Sequence, residues 1–200
     1  MAEVVERTAL SDHPKSSLRT AGTGGLPGAV LEEQWPTALA QINGAPDEQR
    51  LGAALNFLGL ERSPEPRRAC TGKGVTLLWT GPGQWLAVAS STPAKDFVPS
   101  LRGALEESGA TVTDLSHART VIRIAGPKAR EVLLKGCPLD LEVFQVNDCA
   151  ASLLGHLSVQ LHCVGDHTFD VYVFRSFGLA AWEWLIDAAL EYGAEMRPRE

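Results

Sequence analysis

The amino-acid sequence predicts an α+β protein built from two tandem β-α-β-β-α-β halves. Three observations carry that expectation. The stretch Thr113 to Leu141 reads strand, Gly-Pro, helix and turn; the same order of elements occurs twice; and three landmarks repeat at a spacing of a little over 80 residues. Pro46 corresponds to Pro127, the Gly83 turn to Gly165, and ALEESGA at Ala104 to ALEYGA at Ala189. Such a period is longer than the roughly 20–50 residues of solenoid repeats and indicates a duplicated domain. Each copy then has the ferredoxin-like split βαβ arrangement.

Residues 1–34 are rich in Ser, Gly, Thr and Pro, including GTGGLPG at Gly22 to Gly28. That composition cannot fill a core and reads as an N-terminal arm, partner-contacting or flexible. The first half is expected over 35–116. Ala38 to Ile42 reads as a strand, and Asp47 to Leu58 as a helix with Leu51, Ala54, Leu55 and Leu58 on one side. A loop with Pro64 and Pro66 follows. Val75 to Trp79 and Gln84 to Ala89 form a hairpin about Thr80-Gly81-Pro82-Gly83. Phe97, Leu101, Ala104 and Leu105 make a helical stripe, and Thr111 to Leu115 a short strand.

The second half is expected over 117–200. In Arg119 to Ala125, Thr120, Ile122 and Ile124 alternate with Arg119, Val121 and Arg123, the period of a half-buried strand. Gly126 breaks it, and Pro127 has φ preset for the first helical position of Lys128 to Leu134. Strands at Leu157 to Val164 and Thr168 to Arg175 flank a Gly165-Asp166 turn, and Phe177 to Tyr192 is a helix. That last helix carries only Glu183, Asp187 and Glu191 as charges, in one narrow ridge. A helix apolar over most of its circumference is covered on more than one side. The sheet covers one side, and the other half or a partner subunit the next. Trp182, Trp184 and Ile186, together with Trp35, are therefore the expected partner-interface residues.

A formal net charge of -6 argues against a nucleic-acid footprint. There is no run of about 18 apolar residues to span a membrane, and the N-terminus MAEVVERTALSDHPK has no secretory pattern. A cytoplasmic location is expected, with Cys70, Cys137, Cys149 and Cys163 as free thiols.

Candidate chemistry is thin. Asp114, Ser116 and His117 have the residue types of a triad, but neighbours on a strand point in alternating directions, and a strand-end turn is expected. His156, His162, Cys163 and His167 could suggest a metal, but on a strand Cys163 faces the core and His156 and His162 the opposite side. No glycine-rich piece has a dinucleotide fingerprint or a complete P-loop. The expectation is no catalytic, cofactor-binding or metal-ligating residue in this chain.

Several runs carry a family resemblance: Asp114-Leu115-Ser116 before a strand, then G-P-x-A-x-x-x-L-L at Gly126 to Leu134. This resembles the T-protein (aminomethyltransferase) folate-binding superfamily. With ALAQING at Ala38, WTGPGQWLAVA at Trp79, KGCPLDL at Lys135 and FDVYVFRSFGLAAWEWLIDAALEYG at Phe169, the chain is more specifically similar to the gamma subunit of heterotetrameric sarcosine oxidase. The likeness extends from about Trp35 to Tyr192. It implies a T-protein-like fold without the catalytic site, because the family's G-G-x-x-D-D run is missing. Lys135-Gly136-Cys137 echoes a triplet of folate-binding iron–sulfur-assembly relatives but lacks the Tyr and Gln that follow there, and reads as a helix end.

The resemblance implies an accessory subunit, not catalytic by itself, packing mainly on the folate-binding region of the alpha subunit beside beta and delta. FAD, FMN, NAD, tetrahydrofolate and zinc would belong to those partners. The complex would oxidatively demethylate sarcosine to glycine, with hydrogen peroxide and 5,10-methylene-tetrahydrofolate or formaldehyde as products. Alternatives are the equivalent subunit of a related secondary-amine dehydrogenase, such as one acting on N-methylglutamate, or a stand-alone folate-binding protein.

Overall fold

The computed structural model describes residues 8–11, 26–44 and 54–197. Two sheets organise them. The first half contributes β2 (Ala38–Asn43), helix α1 (described over 54–58), β3 (Ala69–Gly72), β4 (Val75–Gly81), β5 (Gln84–Ala89), α2 (Ala94–Leu105) and β6 (Thr111–Asp114). These strands form a sheet in the order β3-β4-β5-β2-β6. The remainder of the helix expected from Asp47 lies outside the described residues. In the second half, β7 (Arg119–Ala125), α3 (Ala129–Leu134), β8 (Cys149–Leu154), β9 (Leu157–Gly165), β10 (Thr168–Phe174), α4 (Gly178–Ala189) and β11 (Ala194–Arg197) follow the same plan.

The second sheet has six strands, β11-β1-β7-β10-β9-β8, and its extra member corrects the expected arm. Residues Ala29–Gln34 form β1, parallel to β11 and antiparallel to β7. Ala29 and Leu31 are fully buried there. The physical reason for the misreading is that only two of its six residues are buried, and two inward residues after a Gly-, Ser- and Pro-rich segment make no periodic signal. Upstream, Leu10 is buried in the second half's core, and the Ala9 Cβ lies 2.9 Å from where a Cβ of Gly178 would stand. β3, β8 and β11 also lie in stretches read as loop or left unassigned. Pro127 is not at the first helical position; α3 begins at Ala129 with Lys128 as its cap.

The layers follow from alternation along each strand. Ala40, Ile42, Leu77, Trp85 and Ala87 pack outward against Leu55 and Leu58 of α1 and Phe97 and Leu101 of α2. Ile122, Ile124, Val159, Leu161, Phe169 and Val171 pack outward against α3 and α4. The opposite faces of the two sheets meet each other through Leu39, Leu78, Leu86, Val121, Cys149 and Tyr172. The result is helix, sheet, sheet, helix.

Helix α4 is covered within its own half, by its sheet and by α3. Trp182 is 7% exposed inside that core and has the least surface to offer of the expected interface residues. Trp184 and Ile186 are half-buried against the same core. The Trp184 ring fills the space beside Gly136, where an added Cβ would come within 2.4 Å of its Cζ2. Only glycine leaves room for that approach.

Candidate functional site

The seam between the sheets carries the polar groups that the helical faces exclude. On either side of its apolar centre a cleft opens. One, of about 390 Å3, is lined by Trp35, Thr76, Arg123, His162, Asp170 and Tyr172 among others. The other, of about 290 Å3, lies among Gln41, Thr80, Arg119, Ser158, Gln160 and Phe174.

The first cleft has a row of three polar residues across adjacent strands: Arg123 on β7 opposite Asp170 on β10, itself opposite His162 on β9. Arg123 Nε donates to Asp170 Oδ1 at 2.7 Å and its second nitrogen to Oδ2 at 2.9 Å, a bidentate pair. Hydrogen bonding to Asp170 raises the guanidinium pKa, outweighing the burial that lowers it. The corresponding row of the first half, across β2, β5 and β4, is Gln41, Leu86 and Leu78. Duplication has kept the sheet while exchanging two apolar residues and an amide for an ion pair and an imidazole. His162 is 5% exposed, and burial lowers its pKa to about 4, so it is neutral near pH 7. Its Nε2 has no hydrogen-bond partner among the described residues. Burial likewise pushes the Tyr172 hydroxyl well above its ordinary pKa.

Arg119 differs from Arg123. Its guanidinium lies 3.9 Å from the centre of the Phe174 ring, with a buried Nε that has no partner among the described residues. Burial lowers its pKa, and no carboxylate of the described residues opposes that shift. Sequence reading passed over Arg123, His162 and Asp170 as a group because cross-strand register brings them together, and one strand's alternation does not show register.

The residues singled out in the sequence do not converge. The Ser116 hydroxyl donates to Asp114 at 2.7 Å and accepts from the Leu39 N–H at 3.0 Å, while its backbone N–H also donates to Asp114. Burial pushes the Asp114 carboxyl up, but the Ser116 bonds and the nearby His117 and Arg102 hold it below its ordinary pKa. This is a turn at the end of β6, with His117 exposed. His156 and His167 are exposed at turns, whereas His162 is buried in the seam and Cys163 in the helical core. Cys137 is buried with Sγ 3.4 Å from Ser152 Oγ. Lys135 turns the other way, bonding the Ala188 carbonyl and Glu191 and lying 4.6 Å from the Tyr192 ring centre.

The glycine-rich turns at residues 72–74 and 81–83 join antiparallel strands, β3 to β4 and β4 to β5. Neither leads into a helix N-terminus, the setting that binds a dinucleotide's phosphates. These turns do not fit FAD, FMN or NAD. Among the described residues no helix is long and apolar enough to cross a membrane.

Two tandem ferredoxin-like halves joined through their inner faces define an aminomethyltransferase-type fold. The solved aminomethyltransferase T of the glycine cleavage system from Bartonella henselae superimposes with a TM-score of 0.68 over 86% of this chain and 48% of that one. At 14% identity the likeness is one of fold alone. Residues 44–191 match the model of the sarcosine oxidase, gamma subunit family, and the chain belongs to that family. A sarcosine oxidase subunit gamma from Arthrobacter sp. is 32% identical over 96% of both chains. Another, from Corynebacterium sp. (strain U-96), is 37% identical over 60% of this chain, and the match spans 59% of that relative's length. A chain of the heterotetrameric sarcosine oxidase of Corynebacterium sp. U-96, solved with pyrrole 2-carboxylate, superimposes with a TM-score of 0.82 at 28% identity, covering 94% of this chain and 96% of that one.

Proposed function

We propose that this chain is the gamma subunit of a heterotetrameric sarcosine oxidase and acts there as an accessory, non-catalytic subunit. The observation that carries the reading is the likeness to the Arthrobacter gamma subunit over 96% of both lengths. It is supported by how the candidate reactive groups are used. Ser116 and Asp114 close a turn, Cys137 lies in a core, and Arg123 is spent on Asp170. A fold shared with an enzyme carries that enzyme's chemistry only where the site is present.

In this reading the complex oxidatively demethylates sarcosine to glycine. Hydrogen peroxide forms, and the methyl carbon leaves as 5,10-methylene-tetrahydrofolate or formaldehyde. FAD, FMN, NAD, tetrahydrofolate and zinc reside in alpha, beta and delta, and this chain packs mainly on the folate-binding region of alpha. Trp35, Trp184 and Ile186, each half-buried, remain the proposed contributors to partner contact. The complex is cytoplasmic.

The test is the native mass of the assembly purified from its own host, with flavin absorbance and the oxidised amine recorded. Four different subunits, bound flavin and turnover of sarcosine are expected. A solitary chain that binds tetrahydrofolate, or a complex that oxidises N-methylglutamate and not sarcosine, would overturn the proposal.

A further inference from the structure

We propose that the cleft beside Arg119 receives an acidic side chain, Asp or Glu, from a partner subunit; this rests on the subunit reading above. Four other guanidiniums are spent inside the chain, and Arg67, over the Phe144 ring, is exposed and lies outside this cleft. Arg123 pairs with Asp170, Arg68 with Asp148 and Arg197 with Glu195, while Arg130 donates to the carbonyls of Leu141, Phe144 and Asp166. Unlike those four, Arg119 has no carboxylate or carbonyl partner among the described residues, only the ring of Phe174. A half-buried cation whose donors are unspent is matched by an anion, and the planar guanidinium holds a carboxylate with two parallel bonds.

The rest of the cleft agrees. Two of its three amides are already engaged: Gln160 donates to the Trp79 carbonyl at 3.2 Å, and Gln41 to Thr80 Oγ1 at 3.2 Å. The guanidinium is left as the site's charge. A free carboxylate held by one such pair alone would bind more weakly than about 1 mM, so useful occupancy needs further covered surface. That surface is present at the rim, where Phe174 and Leu153 are each 44% exposed. Leu153 is paired with the cleft residue Ser158, on the seam face of β8. Exposed apolar side chains around a central Arg are the composition of a protein contact. A polypeptide covers all three; a small anion does not.

The experiment uses the complex purified from its host, with this chain as wild type, Arg119→Gln, Arg119→Lys and Arg119→Glu. Dissociation of the chain on dilution is followed by native mass at low and high salt. Arg119→Gln is expected to weaken association at least tenfold and to remove part of its salt dependence. Arg119→Lys should recover some of the loss, and Arg119→Glu should be weaker still. The melting temperature of each isolated variant checks folding, which Arg119 supports with no hydrogen bond within the described chain. Phe174→Ala is a second variant, and it too should weaken association. Wild-type binding and salt dependence in both Arg119→Gln and Arg119→Glu would overturn the proposal. If the Arg119 variants do not fold, unchanged binding by Phe174→Ala would do so. Saturable binding of sodium acetate to the isolated wild-type chain below 1 mM would overturn the polypeptide occupant. A wild-type chain that purifies alone removes the subunit reading and this inference with it, an outcome distinct from wild type and variants assembling alike.

Discussion

Arg67 and Asn147 hold corresponding places in the two halves and clasp each other's strands. Both have left-handed backbones, with φ of 63° and 70°. The Arg67 carbonyl accepts from the Cys149 N–H at 2.9 Å, and the Asn147 carbonyl from the Ala69 N–H at 2.8 Å. Arg68 and Asp148, one residue on, form an isolated antiparallel bridge and an ion pair. The pseudo-twofold axis of the duplication passes between them.

Asn tolerates the left-handed region, whereas other side chains pay roughly 1–2 kcal/mol there. Asn147→Ala is expected to destabilise the chain by about 1 kcal/mol and Asn147→Gly to be nearly neutral. Urea unfolding of the two variants checks this; equal losses would show that the side chain, not the backbone, matters at this position.

The ion pair at the seam makes a second expectation. Asp170→Leu leaves Arg123 half-buried without its carboxylate and should cost about 2–3 kcal/mol, the lower end for a broken buried pair because Arg123 is 36% exposed. Adding Arg123→Gln reproduces the first half's Gln41 and Leu86 and should restore most of the loss. A double-mutant cycle measures the coupling.

His162 makes stability pH-dependent with a definite sign. Its folded pKa of about 4 lies below the ordinary 6.5. Between those values the unfolded chain takes up a proton that the folded chain refuses, so its contribution is full above pH 6.5 and falls away toward pH 4. The loss amounts to about 3 kcal/mol. His162→Leu, the residue of the equivalent Leu78, should flatten the stability profile over that interval, as chemical denaturation at a series of pH values would show.

Two glycines are expected to answer Ala in opposite ways. At Gly136 the new Cβ meets the Trp184 ring at 2.4 Å and the Gly155 backbone at 2.7 Å, and overpacking should cost roughly 1–3 kcal/mol. At Gly103, inside α2, a Cβ meets nothing within 4 Å. Gly103→Ala should therefore stabilise by roughly 0.5–1 kcal/mol through helix propensity. Melting curves of the two variants decide it.

What the sequence showed was what a single segment can show. The alternation of Arg119 to Ala125 marked β7 to the residue, and Gln84 to Ala89 marked β5. The duplication was legible because its turns and helix ends recur at nearly constant spacing. β1 and β11 were not legible: each buries only two residues, and each is a strand because of its neighbour across the sheet. The packing of α4 on α3 was not legible either, because an almost wholly apolar helix says that it must be covered without saying by what. The polar row of Arg123, Asp170 and His162 depends on register between three strands, information that no one of them contains.

The placement of β1 brings the first and last described strands together in one sheet. Ala29 stands beside Ala194, so β1 finds its parallel neighbour only after the strands and helices between them have been made. The repeat is thus not a set of two separable modules. A chain cut at residue 116 would carry a strand of the later sheet away with the earlier one, leaving β7 with an unpaired edge and β11 with no partner strand.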